Sequence, residues 1–538
     1  MAIFPLRRLG DIGILADPNP YDLPPNALSQ GNNLRFNDGK ISRSPVFKTV
    51  LNTTASSPSF LFTYLQAGQV DKVGIANNDG SLYFYSNGVE EDVTPASFTP
   101  IVSDSPHTFC SLANVAYVNR DTAAPMYYKD GSTDFDELPN WPADYTCKVL
   151  RSFKSYLIAI NVTKPTSDNP TMVKWSDIAL VNSYPATWDE TDPTNSAGEN
   201  TITEADSEFL DGLPLRDAFV LYTENQVHMM EYTADNDVFR FRKLWDNIGI
   251  MNTNCVVEVE GRHYVFGRKD IYVHDGISYQ SIIRGKNHKY VYGNLISDDR
   301  GRFFVAHNPY LTEIYFCYVS ADEQANFIET TYCNKAAVFN YSNGTWAFRD
   351  LPNSAGATYA SLSTSFTYDG SDPLTYDEAG GSYSNMTDNS KKVMFMLSAQ
   401  DTTNNLTASR LFAHDEITGG MVATALEPEA TKASWIERIG IDLDDIGEQL
   451  RAYKVINTIY PQGSSLAGAA NMGFSFGATD YVEDTPTFSA IQYFSPPDAY
   501  KVNSRAAGRY LAWRMLNDSD YDHELSGMDV EVVVTGRR

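Results

Sequence analysis

Eight Asp-Gly or Asn-Gly pairs punctuate the chain, at Asp38-Gly39, Asp79-Gly80, Asn87-Gly88, Asp130-Gly131, Asp211-Gly212, Asp275-Gly276, Asn343-Gly344 and Asp369-Gly370. Such pairs supply the positive φ angles that tight hairpin turns require. Between them apolar and aromatic residues alternate. The stretch from Val73 to Gly88, VGIANNDGSLYFYSNG, reads as strand, turn, strand, turn, with Leu82 and Phe84 on one face and Tyr83 and Tyr85 on the other. Related units recur as FVLYTENQVHMMEY (Phe219 to Tyr232), YVFGRKDIYVHDG (Tyr264 to Gly276), EIYFCYV (Glu313 to Val319), AAVFNYSNGTWAFRD (Ala336 to Asp350), and VMFMLSAQ with SRLFAHD (Val393 to Gln400, Ser409 to Asp415). Short β-meanders repeating at roughly 40 to 60 residues, without a fixed period, are the pattern of a propeller whose blades have diverged.

No window shows sustained 3.6-residue periodicity; Glu437 to Tyr453, with Asp442, Asp444 and Asp445, is too broken to read as a helix. The expected fold class is all-β: an irregular β-propeller with long loop insertions and an additional C-terminal β unit. The expected organisation is an N-terminal segment over 1–50, the propeller over 51–433 and a β-rich unit over 434–538. Two stretches break the rhythm, the acidic 186–212 and the Ser/Thr/Gly/Tyr-rich 352–392, and both read as surface excursions or partner contacts.

Aromatic residues make up 13% of the 538 positions, with 33 Tyr and 28 Phe, which suits pleated surfaces better than helices. The 41 basic residues are outnumbered by 68 acidic ones, for a net charge of −27. Such a chain repels phosphate, and no basic run opposes the overall field, so nucleic-acid binding driven by affinity is not expected. Cys110, Cys147, Cys255, Cys317 and Cys333 are odd in number and widely spaced, which points to buried apolar thiols rather than a disulfide frame or metal knuckle. The expectation is folding in a reducing cytoplasm, with no export signal and no membrane span.

The search for chemistry finds no H-E-x-x-H pair, P-loop, G-x-G-x-x-G or G-x-S-x-G. The expectation is therefore no catalytic residues, no cofactor and no metal. His263 and His274 flank one hairpin and read as hydrogen-bonded sheet histidines. A propeller glycosidase needs only two carboxylates across a pocket, and Asp177, Asp189, Glu190, Asp270 and Asp275 are the acids nearest to stacking aromatics. Solvated loop acids are the commoner explanation.

A succession of stretches resembles the tail-nozzle proteins of podophages, a family that includes tail tubular protein B and packaged-DNA stabilisation protein. They are NNLRFNDGKISRSPVF (Asn32 to Phe47), WSD (Trp175 to Asp177), LRDAFVLYTENQVHMMEY (Leu215 to Tyr232), VFRFRKL (Val238 to Leu244), HYVFGRKDIYVHDG (His263 to Gly276), FNYSNGTWAFRDLP (Phe339 to Pro352), GRYLAWRM (Gly508 to Met515) and LSGMDVEVVVTGRR (Leu525 to Arg538). The resemblance implies a non-enzymatic virion structural protein, assembled in the bacterial host cytoplasm, that forms a hexameric ring at the end of a short tail. It would meet a portal-adaptor ring above and tail fibres or spikes at its side. It would retain packaged genomic DNA and let it pass without sequence-specific binding. The acidic balance read from the residues suits such passage, and on that reading the 186–212 or 352–392 excursion is the candidate gate or partner-binding arm. The alternative is a phage β-propeller glycosidase, a lectin or a receptor-binding tailspike.

Overall fold

The computed structural model describes residues 2–53, 57–65, 71–86, 88–95, 98–233, 238–322, 331–361, 392–400, 408–416, 433–442, 452–466, 472–481, 484–496, 498–519 and 522–537. Among them the sheets are antiparallel, and helix is confined to one short α-helix, His288–Asn294, and two 3-10 turns. No described helix is long and apolar enough to cross a membrane.

Five four-stranded meanders follow one another along the chain. Each is a blade whose first strand is innermost. The first blade is Pro58–Tyr64, Lys72–Asn77, Leu82–Ser86 and Val89–Asp92; the second runs from Thr108 to Glu137, the third from Thr146 to Thr201, the fourth from Asp211 to Asp246 and the fifth from Val256 to Ser281. A seven-stranded sheet supplies two more blades, because its 16-residue strand Trp346–Ser361 serves both. The first half of this strand pairs with Cys333–Asn340 as the outer strand of the sixth blade. A register shift between Ser354 and Gly356 then carries it inward, where it pairs with Lys392–Ser398 as the inner strand of the seventh. The outer strand of that last blade is Val46–Asn52, contributed from the other end of the chain and paired with Arg410–Glu416. Seven blades thus close on themselves, and the closing strand is non-local.

Burial explains the aromatic faces read from sequence. Leu82 and Phe84 pack with Ala116, Val118 and Tyr128 of the second blade, while Tyr85 packs with Phe395 and Leu411 of the seventh. Each blade is covered on both sides, so both faces of its strands are apolar. Where the first and seventh blades meet, Thr63 Oγ1 and Thr358 Oγ1 lie 2.7 Å apart, and the Ser361 N–H and hydroxyl donate to Asp71 at 2.9 and 2.6 Å. A side chain at Gly356 would begin 2.9 Å from the Leu61 amide nitrogen. Gly356→Val is therefore expected to wedge the closure apart and lower stability by about 1–3 kcal/mol, the usual range for overpacking. Gly293→Ala, at a position with nothing within 4 Å, should shift a urea-denaturation midpoint far less.

The segment 1–50 does not stand apart. Ala2–Arg7, Leu34–Asn37 and Lys40–Arg43 join a six-stranded sheet with Ala452–Leu466, Val502–Gly508 and Asp522–Arg537, and Gln30–Asn32 edges a five-stranded sheet with Ser434–Ile441, Tyr510–Asn517, Met472–Thr479 and Gln492–Phe494. The two sheets share one core, with Leu34, Phe36 and Ile41 beside Phe474, Trp513, Met515 and Val530. Both ends of the chain thus build one sandwich, which is pinned to the propeller by buried polar groups. Arg349 of the sixth blade pairs with Glu313 at 2.8 Å, both nearly fully buried, and Arg35 from the sandwich reaches the same carboxylate at 3.3 Å. Asn33 receives the Asp350 N–H at 2.9 Å and donates to the Asp350 carboxylate at 3.1 Å. On the sandwich side itself, buried Arg438 holds the Pro20–Asp22 turn, donating to the carbonyls of Pro20 and Leu23 at 2.7 and 2.8 Å. Burial holds its guanidinium down at about 10.

Candidate functional site

The inner strands converge on a cavity of about 290 Å³ at the propeller axis, lined in turn by Phe62, Phe109, Arg151, Leu213, Val256, Phe304 and Gly356. Each comes from a different blade. One ion pair organises this centre. Arg151, on the third blade, donates from Nε and Nη2 to the two carboxylate oxygens of Asp211 on the fourth, at 3.0 and 2.8 Å. Its Nη1 reaches the Phe109 carbonyl of the second blade at 3.1 Å, and Nη2 reaches Asn254 Oδ1, ahead of the fifth, at 2.9 Å. Asp211, fully buried, also accepts the Asn254 N–H at 2.8 Å. A planar fork with five donors can bridge several acceptors in this way where a lysine could not. The dipeptide Asp211-Gly212 has the composition of a hairpin turn. It is instead the start of an inner strand, and Gly212 is required because a Cβ there would lie 2.5 Å from the Phe219 ring.

The acids weighed for glycoside hydrolysis have other employment. Asp189 and Asp275 cap turns: Asp189 accepts from the Thr191 hydroxyl at 2.7 Å and the Thr191 N–H at 2.9 Å, and Asp275 from the Ser278 and Ile277 N–H groups at 2.8 and 2.9 Å, and these bonds hold both carboxyls below their ordinary range. Glu190 pairs with buried Lys174 at 2.5 Å, and Asp177 accepts the Ser196 N–H at 3.1 Å. Asp270 pairs with Arg284 at 2.9 Å, although burial pushes its carboxyl up. All five serve loops of the third and fifth blades, and none lines the axial cavity.

His263 and His274 face each other across the fifth blade, as their spacing suggested. Tyr222 Oη sits between them, 2.6 Å from His263 Nδ1 and 2.6 Å from His274 Nε2. His263 Nε2 lies 2.8 Å from the Pro214 carbonyl, and His274 Nδ1 accepts the Gly276 N–H at 3.3 Å. These contacts assign one proton to each ring, so the Tyr222 hydroxyl donates to His263 and accepts from His274. Burial drives the two rings down to about 4 and about 3, which keeps them neutral. The chain is thus a tie between blades four and five. Among the described residues no group of three or more His, Cys, Asp or Glu could hold a metal ion. All five cysteines are free and buried, and burial raises every thiol.

The 186–212 stretch is not a free excursion. Trp188 is buried in the core shared by the second and third blades, Gly198–Thr201 is the outer strand of the third, and Phe209 packs against Phe219. Of 352–392, residues 352–361 belong to the strand shared by the sixth and seventh blades, Lys392 opens the next strand of the seventh, and 362–391 lie outside the described residues.

A seven-bladed propeller, closed by a strand from the opposite chain end and carrying a sandwich built from both ends, is the class these elements define. No family model matches the chain, and no curated protein matches it. Among solved structures the chain is similar to one described as YCF48 bound to D1 peptide, at 10% identity and a TM-score of 0.33, over 59% of this chain and 88% of that one. A likeness this distant bears on neither fold nor function.

Proposed function

We propose that the chain is a structural subunit of a short phage tail, assembling into a ring, of six copies by the family resemblance, that retains packaged DNA and conducts it at ejection. The supporting observation is the ordered succession of nozzle-like stretches, which fall at the joints of the fold. Asn32 to Phe47 runs from the sandwich to the strand that closes the propeller, Leu215 to Tyr232 and His263 to Gly276 carry the central hairpins of the fourth and fifth blades, and Phe339 to Pro352 carries Trp346 and Arg349.

Physical considerations fit this role. The axial cavity, at about 290 Å³, is far too small for a duplex whose major groove alone is about 12 Å wide, so DNA would travel between copies rather than through one propeller. Six copies would carry a charge of roughly −160, and an acidic wall offers phosphates no lasting partner. The test is to assemble particles lacking this chain. Filled capsids that lose DNA during purification, and retain it when purified protein is added back, are the expected result; particles that hold DNA and infect without it would refute the proposal.

A further inference from the structure

The five-stranded sheet of the sandwich has two unlike faces. Cross-strand register places Ile436, Met515 and Phe474 in one row, and all are buried in the core. The alternate rows run Asn32, Trp435, Leu516, Gly473, Tyr493 and then Glu437, Arg514, Ser475. Because side chains alternate across a strand, these residues share the opposite, outward face. That face is neither a second core nor an ordinary charged surface. It holds a cleft of about 520 Å³ between Trp435, Phe488, Arg514, Ser475 and Asn32, walled on one side by Asp350 of the propeller.

We infer that this cleft is a saccharide-binding site for neutral pyranose units. Sugar rings present apolar C–H faces and a rim of hydroxyls, and the cleft offers both complements. The Trp435 and Phe488 rings supply stacking surface. Arg514 lies over the Phe488 ring, 4.5 Å from its centroid, and donates from Nε and Nη2 to Glu437 Oε2 at 2.9 and 2.5 Å. Glu437, behind the cleft, thus holds the Arg514 guanidinium at its wall, where planar donors can meet sugar hydroxyls. Two polar side chains are already desolvated there. Asn32 and Ser475 are 3% and 5% exposed, and the Asn32 carboxamide oxygen has no hydrogen-bond partner. An orphaned buried acceptor is unfavourable in the empty cleft and is relieved when a hydroxyl donor enters. The cleft volume falls within the usual range for small-ligand sites. Charge selects the class: Arg514 is matched by Glu437, Asp350 adds a carboxylate, and the chain carries −27, so acidic polysaccharides are disfavoured.

This inference does not rest on the ring reading, on which the mass of the purified chain reports independently. Full-length protein is titrated with a panel of neutral tetra- and hexasaccharides of glucose, galactose and mannose, followed by tryptophan fluorescence and calorimetry. Saturable binding by at least one is expected. Asn32→Ala and Ser475→Ala should each weaken it fivefold or more without lowering the thermal midpoint, and Asn32→Ala, which removes the orphaned acceptor, should hold or raise it; Trp435→Ala should abolish binding. No saturable binding to any neutral probe up to about 10 mM overturns the inference, as does binding that the Asn32→Ala/Ser475→Ala double variant leaves intact. Binding only to a sulfated or uronic-acid probe overturns the neutral class. Variants that change oligomer mass while no sugar binds assign the face to a subunit contact instead.

Discussion

Arg151→Ala is expected to lower the stability of the propeller by about 3–5 kcal/mol, the range for breaking a buried ion pair from one side. The carboxylate left behind, Asp211, is fully buried. It would keep only the N–H donors of Gly212 and Asn254, at 2.7 and 2.8 Å. The second and fifth blades would also lose the guanidinium contacts to Phe109 and Asn254. Urea denaturation measures the change, and the Arg151→Ala/Asp211→Ala double variant separates its causes. Much of the loss comes from stranding a charge, so removing both partners should cost little more than removing the arginine alone. Arg242→Ala is the contrast. Its pairing with Glu231 at 3.0 Å is between side chains 47% and 40% exposed, and such surface pairs contribute about 0–1 kcal/mol.

Acid should unfold this protein steeply below neutral pH. Burial depresses His107, His274 and His523 to about 3 and His263 and His307 to about 4. It lowers His228 and His414 as well. These rings are neutral in the folded chain and protonate in the unfolded one near 6.5. The unfolded state therefore binds more protons as pH falls from about 6.5 towards 4, and each buried ring removes up to about 1.4 kcal/mol of stability per pH unit across that window. Asp522 works the other way. Its carboxyl, raised to about 6 by burial, takes up a proton in the folded state first and so gains stability as pH falls from about 6 to 4. Asp270 and Asp299, whose carboxyls burial also raises, act in the same direction, but these acids do not offset seven buried or half-buried histidines. Unfolding free energies from urea denaturation at pH 7.5 and pH 5 should differ by several kcal/mol, and His523→Gln should flatten the dependence by one ring's share; equal values would mean that the rings are not held neutral.

The sequence made the sheets legible because hairpin turns and two-sided aromatic strands are local signals. Gly39, Gly80, Gly131, Gly276 and Gly344 all adopt the positive φ that their Asp-Gly and Asn-Gly pairs announced. Blade number was hidden for a non-local reason: one strand is shared by two blades, and the last blade is completed by Val46–Asn52, more than 350 residues from its partner in sequence. The sandwich was split between two expected units for the same reason, since its halves lie at opposite ends of the chain. The histidine pair could be foreseen because both residues flank one hairpin, whereas Tyr222 between them comes from another blade. The axial pair could not be. Arg151 and Asp211 are 60 residues apart, and Asp211-Gly212 carries the same dipeptide as a turn. The signal that could have distinguished it is the absence of a flanking strand on its amino side, where the polar EADSE precedes it.

The most direct test of the proposed role is to image the purified full-length chain and measure its mass. A closed ring of several copies, six by the resemblance, with a central opening wide enough for duplex DNA, is the expected result. A stable monomer at all concentrations that cleaves polysaccharide would contradict it.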